Sequence, residues 1–195
     1  MDFIPDEQLI GDARAGSIEA FEKIFDRYKK QILNYVYRFI GNRETAEDVT
    51  QEAFIKAYRN LDLFDPQRKF SSWIYAIARN LAKNALRDKK YFRDISLDTE
   101  INEDANKTTL KDLVADSTKR PDILMRDAEL QQQVEHVLNS LPVEFREIIT
   151  LCCIQNMHQR DVAKIIGCSV STVSLRLEKA KQAYRCAWKK QNRRS

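Results

Sequence analysis

Between Glu44 and Arg87 the apolar residues recur at three- and four-residue steps in two successive stripes, a period that only a pair of amphipathic helices satisfies. Ala46, Val49, Ala53, Ala57 and Leu61 make the first stripe; Trp73, Ile74, Ile77, Ala78, Leu81 and Ala85 make the second. A loop from Leu63 to Lys69, carrying Pro66, lies between them. The outward faces differ in chemistry. The first helix gathers Asp48, Gln51, Glu52, Ile55 and Arg59, an acidic and amide row with an unshielded Ile that suits docking on a protein. The second gathers Tyr75, Arg79, Asn80, Lys83, Asn84 and Arg87, bases and amides with an aromatic at one end. That row suits a nucleic acid.

The same period extends to both sides. Leu9, Ile10 and Ala13 predict a short helix capped by Asp6, and Gly16-Ser17 breaks it. Ser17 caps a helix that runs through Ala20, Phe21, Ile24, Phe25, Tyr28, Ile32, Val36 and Phe39 to a stop at Gly41-Asn42. Phe21, Phe25 and Trp73 read as core. With only four Gly and four Pro and no alternating β-branched runs, the chain is expected to be all-α.

After Arg93 the apolar period stops. Asp94 to Asp122 is acidic, rich in Thr, Asn and Asp, and too poor in large apolar residues to fold alone. It reads as a flexible linker ending near Pro121, in which Leu110, Leu113 and Val114 could dock as a small patch. The chain therefore divides into two small helical domains, 1–92 and 123–195, joined by an acidic linker, 93–122. Their net charges are +2, +5 and −3 respectively. From His158 onward ten bases face two acids, so the C-terminal end is the electropositive pole.

In the second domain Leu130, Val134, Val137, Leu138 and Leu141 form one stripe, stopped by Pro142; Phe145, Ile148, Ile149, Leu151 and Cys152 form the next. A helix-turn-helix follows: Gln159 to Ile166, a turn at Gly167-Cys168-Ser169, and a helix from Val170 to about Trp188. Val162, Ala163 and Ile166 are placed to pack on Val173, Leu177 and Ala180, with Ser169 as N-cap. Ser171, Thr172, Ser174, Leu175, Arg176, Glu178, Lys179 and Lys181 face away. Short polar residues at a helix start, followed by bases, suit a reader of the DNA major groove. A solvated helical hairpin would present the same face.

No apolar run approaches the roughly 20 residues that span a bilayer, and the N-terminus lacks the basic and apolar regions of a signal peptide. A cytoplasmic protein without membrane insertion is expected. Cys152, Cys153, Cys168 and Cys186 follow no metal-ligand spacing, and the adjacent pair in an apolar run predicts buried thiols. No metal or other cofactor is expected. With His136 and His158 the only histidines and no acidic cluster at metal spacing, an enzyme such as a nuclease is disfavoured.

The run Ala46-Glu47-Asp48-Val49-Thr50-Gln51-Glu52-Ala53-Phe54, followed by Phe70-Ser71-Ser72-Trp73-Ile74-Tyr75-Ala76-Ile77-Ala78-Arg79-Asn80, resembles conserved region two of bacterial sigma factors, of the small extracytoplasmic-function (ECF) type. Gly16-Ser17-x-x-Ala20-Phe21 with Tyr28 resembles the start of that domain. Leu141-Pro142 and Phe145-Arg146 before the helix-turn-helix resemble region four. The resemblance implies a subunit that binds core RNA polymerase, directs it to promoters and promotes strand opening. Asp48, Gln51, Glu52, Phe54 and Ile55 would meet the clamp helices of the largest polymerase subunit. Asp65, Arg68, Lys69, Phe70, Ser71, Ser72, Tyr75, Arg79, Asn80 and Lys83 would face the melted minus-ten element, with Asp62 to Lys69 walling a pocket for a flipped base. Ser169, Ser171, Thr172, Ser174, Leu175, Arg176, Lys179 and Lys181 would hold the minus-35 duplex. An anti-sigma protein is a further implied partner. Where the family often has Gly-Thr-Val-Lys-Ser-Arg, this chain has Ser171-Thr172-Val173-Ser174-Leu175-Arg176: a base is lost at Ser174, and Leu175 offers an apolar contact suited to a thymine methyl. A stand-alone helix-turn-helix regulator would account for 159–184 but not for the rows from Asp48 to Asn80.

Overall fold

A computed structural model describes residues 4–95 and 121–193, so the reading of a flexible linker lies almost wholly outside the described residues. The first unit comprises α1 (Asp6–Arg14), α2 (Ile18–Ile40), α3 (Arg43–Arg59), a 3₁₀ turn at Leu61–Leu63 and α4 (Phe70–Ile95). Its helix boundaries follow local chemistry. Ser17 accepts the Ala20 N–H at 3.2 Å, and Gly41 takes a left-handed conformation (φ 80°) that closes α2. Asn42 then caps α3 by accepting the Thr45 N–H at 2.8 Å, so the reversal between two long helices takes two residues. At α1 the expectation fails: Pro5, not Asp6, precedes the helix. The Asp6 carboxylate instead accepts from Arg27 and Tyr28 and ties α1 to α2. A charge-assisted partner on another helix has displaced the local cap.

α2 packs on α1, α3 and α4, and α3 lies against α4. Ile24, Ile32, Val36, Ala46, Ala53, Ala57, Ile74 and Ala78 are buried between them. The loop before α4 is closed by aromatics: Phe64, Phe70 and Trp73 meet pairwise, with the Phe64 and Trp73 rings 5.1 Å apart. Arg14 holds the loop from the other side by donating to the carbonyls of Leu61, at 2.9 Å, and Phe64.

The second unit comprises α5 (Pro121–Asn139), α6 (Val143–Ile149) with a wider π-type turn at Thr150–Ile154, α7 (Gln159–Ile166) and α8 (Val170–Asn192). Helices α7 and α8 form the expected helix-turn-helix. Gly167 turns the chain at φ 76°, and Ser169 caps α8 by accepting the Thr172 N–H at 3.1 Å. Val162, Ala163 and Ile165 bury against Val173, Leu177 and Ala180; Ile166, assigned to that contact by period, is only half-buried. The stripe of α5 likewise frays. Val137, Leu138 and Leu141 are buried, but Leu130 is 52% exposed.

The two units also pack on each other, α7 against α4 and α6 against α2. Two independent helical domains would not have required this. The difference between stripe and burial makes a direct test within α5. Leu138→Ala should destabilise the protein by about 2–5 kcal/mol in urea unfolding, whereas Leu130→Ala should stay within about 0.5 kcal/mol. Equal losses would place Leu130 in the core.

Candidate protein-docking and nucleic-acid surfaces

On α3, Asp48, Gln51, Glu52 and Ile55 are exposed along one face, and Ile55 stays half exposed despite its apolar side chain. Glu52 pairs with Lys56 one turn on, at 3.1 Å. Phe54 does not belong to this face. It is buried edge-on against Phe25, with ring centroids 4.8 Å apart. The inward stripe of α3 is wide enough to take the residue after Ala53, which the three-and-four spacing alone did not reveal.

The polar row expected along α4 divides into two faces. On one side Asn80 and Lys83 are exposed, and Trp73, Ile77, Asn80, Leu81 and Asn84 line a groove of about 330 Å³ closed by Lys56, Asn60 and Leu63. Leu63, 78% exposed, is the most exposed large apolar side chain in the protein's described residues. Leu63 falls within the loop expected to wall a pocket, whereas Lys56 and Asn60 were missed as site residues. Their signal was the continuation of the outward row of α3 past Ile55, one turn at a time. Trp73 is therefore both a core residue, through Phe64 and Phe70, and part of a groove wall.

The other side of α4 is covered. Ser72 and Tyr75 are buried, Ser71 is half-buried, and Arg79 is engaged by the second unit, while Phe70 is buried in the aromatic cluster under the loop. Tyr75 thus corrects the expectation of an outward aromatic: its ring lies 5.2 Å from that of Tyr35, and burial pushes its phenol pKa up. In the loop, Asp65, Arg68 and Lys69 remain exposed. Asp65 accepts the Gln67 N–H at 3.0 Å and pairs with Arg68 at 3.3 Å, which fixes the turn after Pro66.

What covers α4 is a polar seam of few members. Glu147 of α6 accepts from Arg79 at 2.6 Å and from the Tyr35 hydroxyl at 3.1 Å. Burial, and next the Glu147 charge, hold the Tyr35 phenol well above its ordinary range. Arg38 of α2 donates twice to Glu135 of α5, at 2.7 and 3.0 Å, and Arg146 donates to the Arg38 carbonyl at 3.2 Å. At the solvent edge Lys69 meets Asp161 of α7 at 2.8 Å. Stripping one partner from such a buried pair costs about 3–5 kcal/mol, yet the intact pair is worth little beyond its own desolvation. The seam fixes how the units meet more than how tightly.

At the start of α8 Ser169, Ser171, Ser174, Leu175, Arg176 and Lys179 are exposed, and Thr172 is half-buried. The Ser169 Oγ lies 2.8 Å from the hydroxyls of both Ser171 and Thr172, so three hydroxyls cluster at the positive end of the helix. Arg176 and Lys179 enter no ion pair among the described residues and stand along the next turns. Lys181 departs from this face. With Val134, Leu138, Ile149, Cys153, Ile154, Tyr184 and Arg185 it borders a separate apolar groove of about 320 Å³. Cys153, expected to be buried, is exposed there, while burial and the neighbouring Cys153 raise the half-buried Cys152 thiol to about 11. Among the described residues no group of His, Cys, Asp and Glu is arranged to hold a metal, and no helix is long and apolar enough to cross a membrane.

Each of the two helical units matches a known family. The Sigma-70 region 2 family profile matches residues 24–91, and the Sigma-70 region 4 profile matches residues 131–183. The ECF RNA polymerase sigma factor SigW of Bacillus subtilis is 36% identical over 179 residues, covering 92% of this chain and 94% of that protein. The ECF RNA polymerase sigma-E factor of Escherichia coli is 34% identical over 183 residues, covering 92% of each. Among solved structures, the sigma factor RpoE from Bartonella quintana, crystallised with the anti-sigma factor NepR, shares the fold with a TM-score of 0.70 at 21% identity, over 88% of this chain and 98% of that one. The two profile matches, and relatives aligned across nearly their full length, show that the chain belongs to the ECF family of RNA polymerase sigma factors.

Proposed function

We propose that this protein is the dissociable specificity subunit of a bacterial RNA polymerase, working in the cytoplasm as an initiation factor and not as a catalyst. The observation that carries the reading is the presence, on one chain, of an exposed acidic face around Ile55, a groove between α3 and α4 and a helix-turn-helix. A stand-alone regulator needs only the last of these. The exposed face of α3, with Asp48, Gln51, Glu52 and Ile55, docks on the polymerase. Carboxylates around an apolar anchor give such an interface both register and affinity. Phe54 supports the face from beneath.

The groove between α3 and α4 receives the melted minus-ten strand. Asn80, Asn84, Asn60 and Lys56 supply hydrogen bonds and charge, and Trp73 and Leu63 supply an apolar wall for an unstacked base. Unstacking costs a few kcal/mol per base, offset by stacking and phosphate contacts along the groove. The start of α8 holds the minus-35 duplex, with its hydroxyl cluster and helix dipole at the phosphates and Leu175 and Arg176 at base edges. Membership of the ECF sigma family supports a regulatory protein partner of the anti-sigma class for this chain.

Each surface has its own test. Glu52→Lys replaces the Glu52–Lys56 pair by like charges, at a cost of a few tenths of a kcal/mol to the helix, so the fold should persist. Co-purification with core polymerase should be lost, and retained assembly would remove α3 from the docking face. For the duplex, Arg176→Ala should weaken minus-35 binding by about 1–3 kcal/mol and relax specificity at one position. Lys179→Ala should weaken binding to all sequences alike and reduce the salt slope by about one unit. Loss that is uniform across sequences for both variants would deny Arg176 a base contact.

A further inference from the structure

The short turn between α3 and α4 is held from behind by one side chain of α1. Arg14, in the last turn of that helix, donates to three carbonyls of the turn: Leu61 at 2.9 Å, Asp62 at 3.3 Å and Phe64. Its guanidinium also lies 5.9 Å from the centroid of the Phe64 ring. Arg14 forms no ion pair among the described residues, so its donors are spent on the turn. The backbone of the turn bonds itself through the Leu63 N–H to Asn60 and the Phe64 N–H to Leu61, and Arg14 takes up the Asp62 and Phe64 carbonyls. A planar fork of donors can meet several fixed acceptors at once, which suits Arg to this place.

What the grip fixes is Leu63. The carbonyls of Asp62 before it and Phe64 after it are both held, and the Phe64 ring rests on Phe70 and Trp73. Leu63 is thereby kept 78% exposed on the groove wall, beside Lys56, Asn60 and Trp73. An apolar side chain of that size gains by leaving water, so a freely moving turn would fold it back. We propose that Arg14 is a positioning residue for base selection in the minus-ten strand: acting through the turn, it holds Leu63 in the shape that walls the pocket for an unstacked base. The proposal rests on the assignment of the groove between α3 and α4 to the melted strand. Selection is sharp only if the wall stands before the base arrives, because ordering it on arrival would weaken the fit of the correct base. If the turn without Arg14 keeps its productive shape one-tenth of the time, the preferred base binds about tenfold more weakly. Contacts to phosphates along the groove are unaffected.

The test uses the full chain and a pool of labelled single-stranded oligonucleotides with a short randomised stretch, sorted by binding below the unfolding midpoint of every variant. The parent should select a base strongly at one position or more. Arg14→Ala should lower that preference about tenfold, while affinity for the unsorted pool changes by less than about twofold. Leu9→Ala hollows the buried side of the same helix and controls for lost stability. It should lower the urea midpoint at least as far as Arg14→Ala and leave the preference at the parent's value. Equal preference in the parent and Arg14→Ala overturns the proposal. An equal flattening in Leu9→Ala also overturns it, because Arg14 would then only stabilise the fold. Lys56→Ala, on the groove wall, separates this proposal from the one beneath it. Where Arg14→Ala has no effect but Lys56→Ala weakens pool binding, the groove keeps the strand and only the role of Arg14 falls. A parent without base preference, together with no effect of Lys56→Ala, removes the groove assignment as well.

Discussion

One helix must satisfy three neighbours at once, and the arrangement of the protein follows from that. α4 turns Phe70, Ile74, Ala78 and Leu81 into the first-domain core, Trp73, Ile77, Asn80 and Asn84 toward the groove with α3, and Tyr75 and Arg79 toward α6 and α7. A 3.6-residue period supplies three such faces only if few positions are left to solvent. The position of the loop from Phe64 to Lys69 depends on α4 as well, because Phe64 rests on Phe70 and Trp73. Groove, loop and domain seam are thus different sides of the same rigid rod.

Charge decides the division of labour. Among the described residues the acidic outward row of α3 pairs with no base of the second domain, whereas Lys69 of the loop and Arg79 of α4 are matched by Asp161 and Glu147. On α8, Arg176 and Lys179 stand free of ion pairs among the described residues.

Much of this was legible because the signals were local. Ser17, Gly41, Gly167 and Ser169 act within one helical turn of themselves, and each stops or starts a helix where its chemistry requires. Failures occurred wherever a distant partner outvoted the local pattern. Asp6 left its cap for Arg27 and Tyr28, Phe54 sank onto Phe25, Tyr75 turned in against Tyr35 of α2, and Leu130 and Cys153 stayed exposed. The domain seam left one readable trace. Glu147 precedes Leu151 by four residues on an otherwise apolar stripe, and a carboxylate there needs a partner from elsewhere. The partners, Arg79 and Tyr35, lie 68 and 112 residues away, beyond the reach of any periodicity.

Run-off transcription by bacterial core polymerase with and without this protein, on genomic fragments that include the region upstream of its own coding sequence, tests the sigma role most directly. New start sites should appear only when the protein is added, preceded by a shared pair of upstream elements. Absence of new starts, together with tight duplex binding by the protein alone, would contradict it and leave a stand-alone helix-turn-helix regulator in its place.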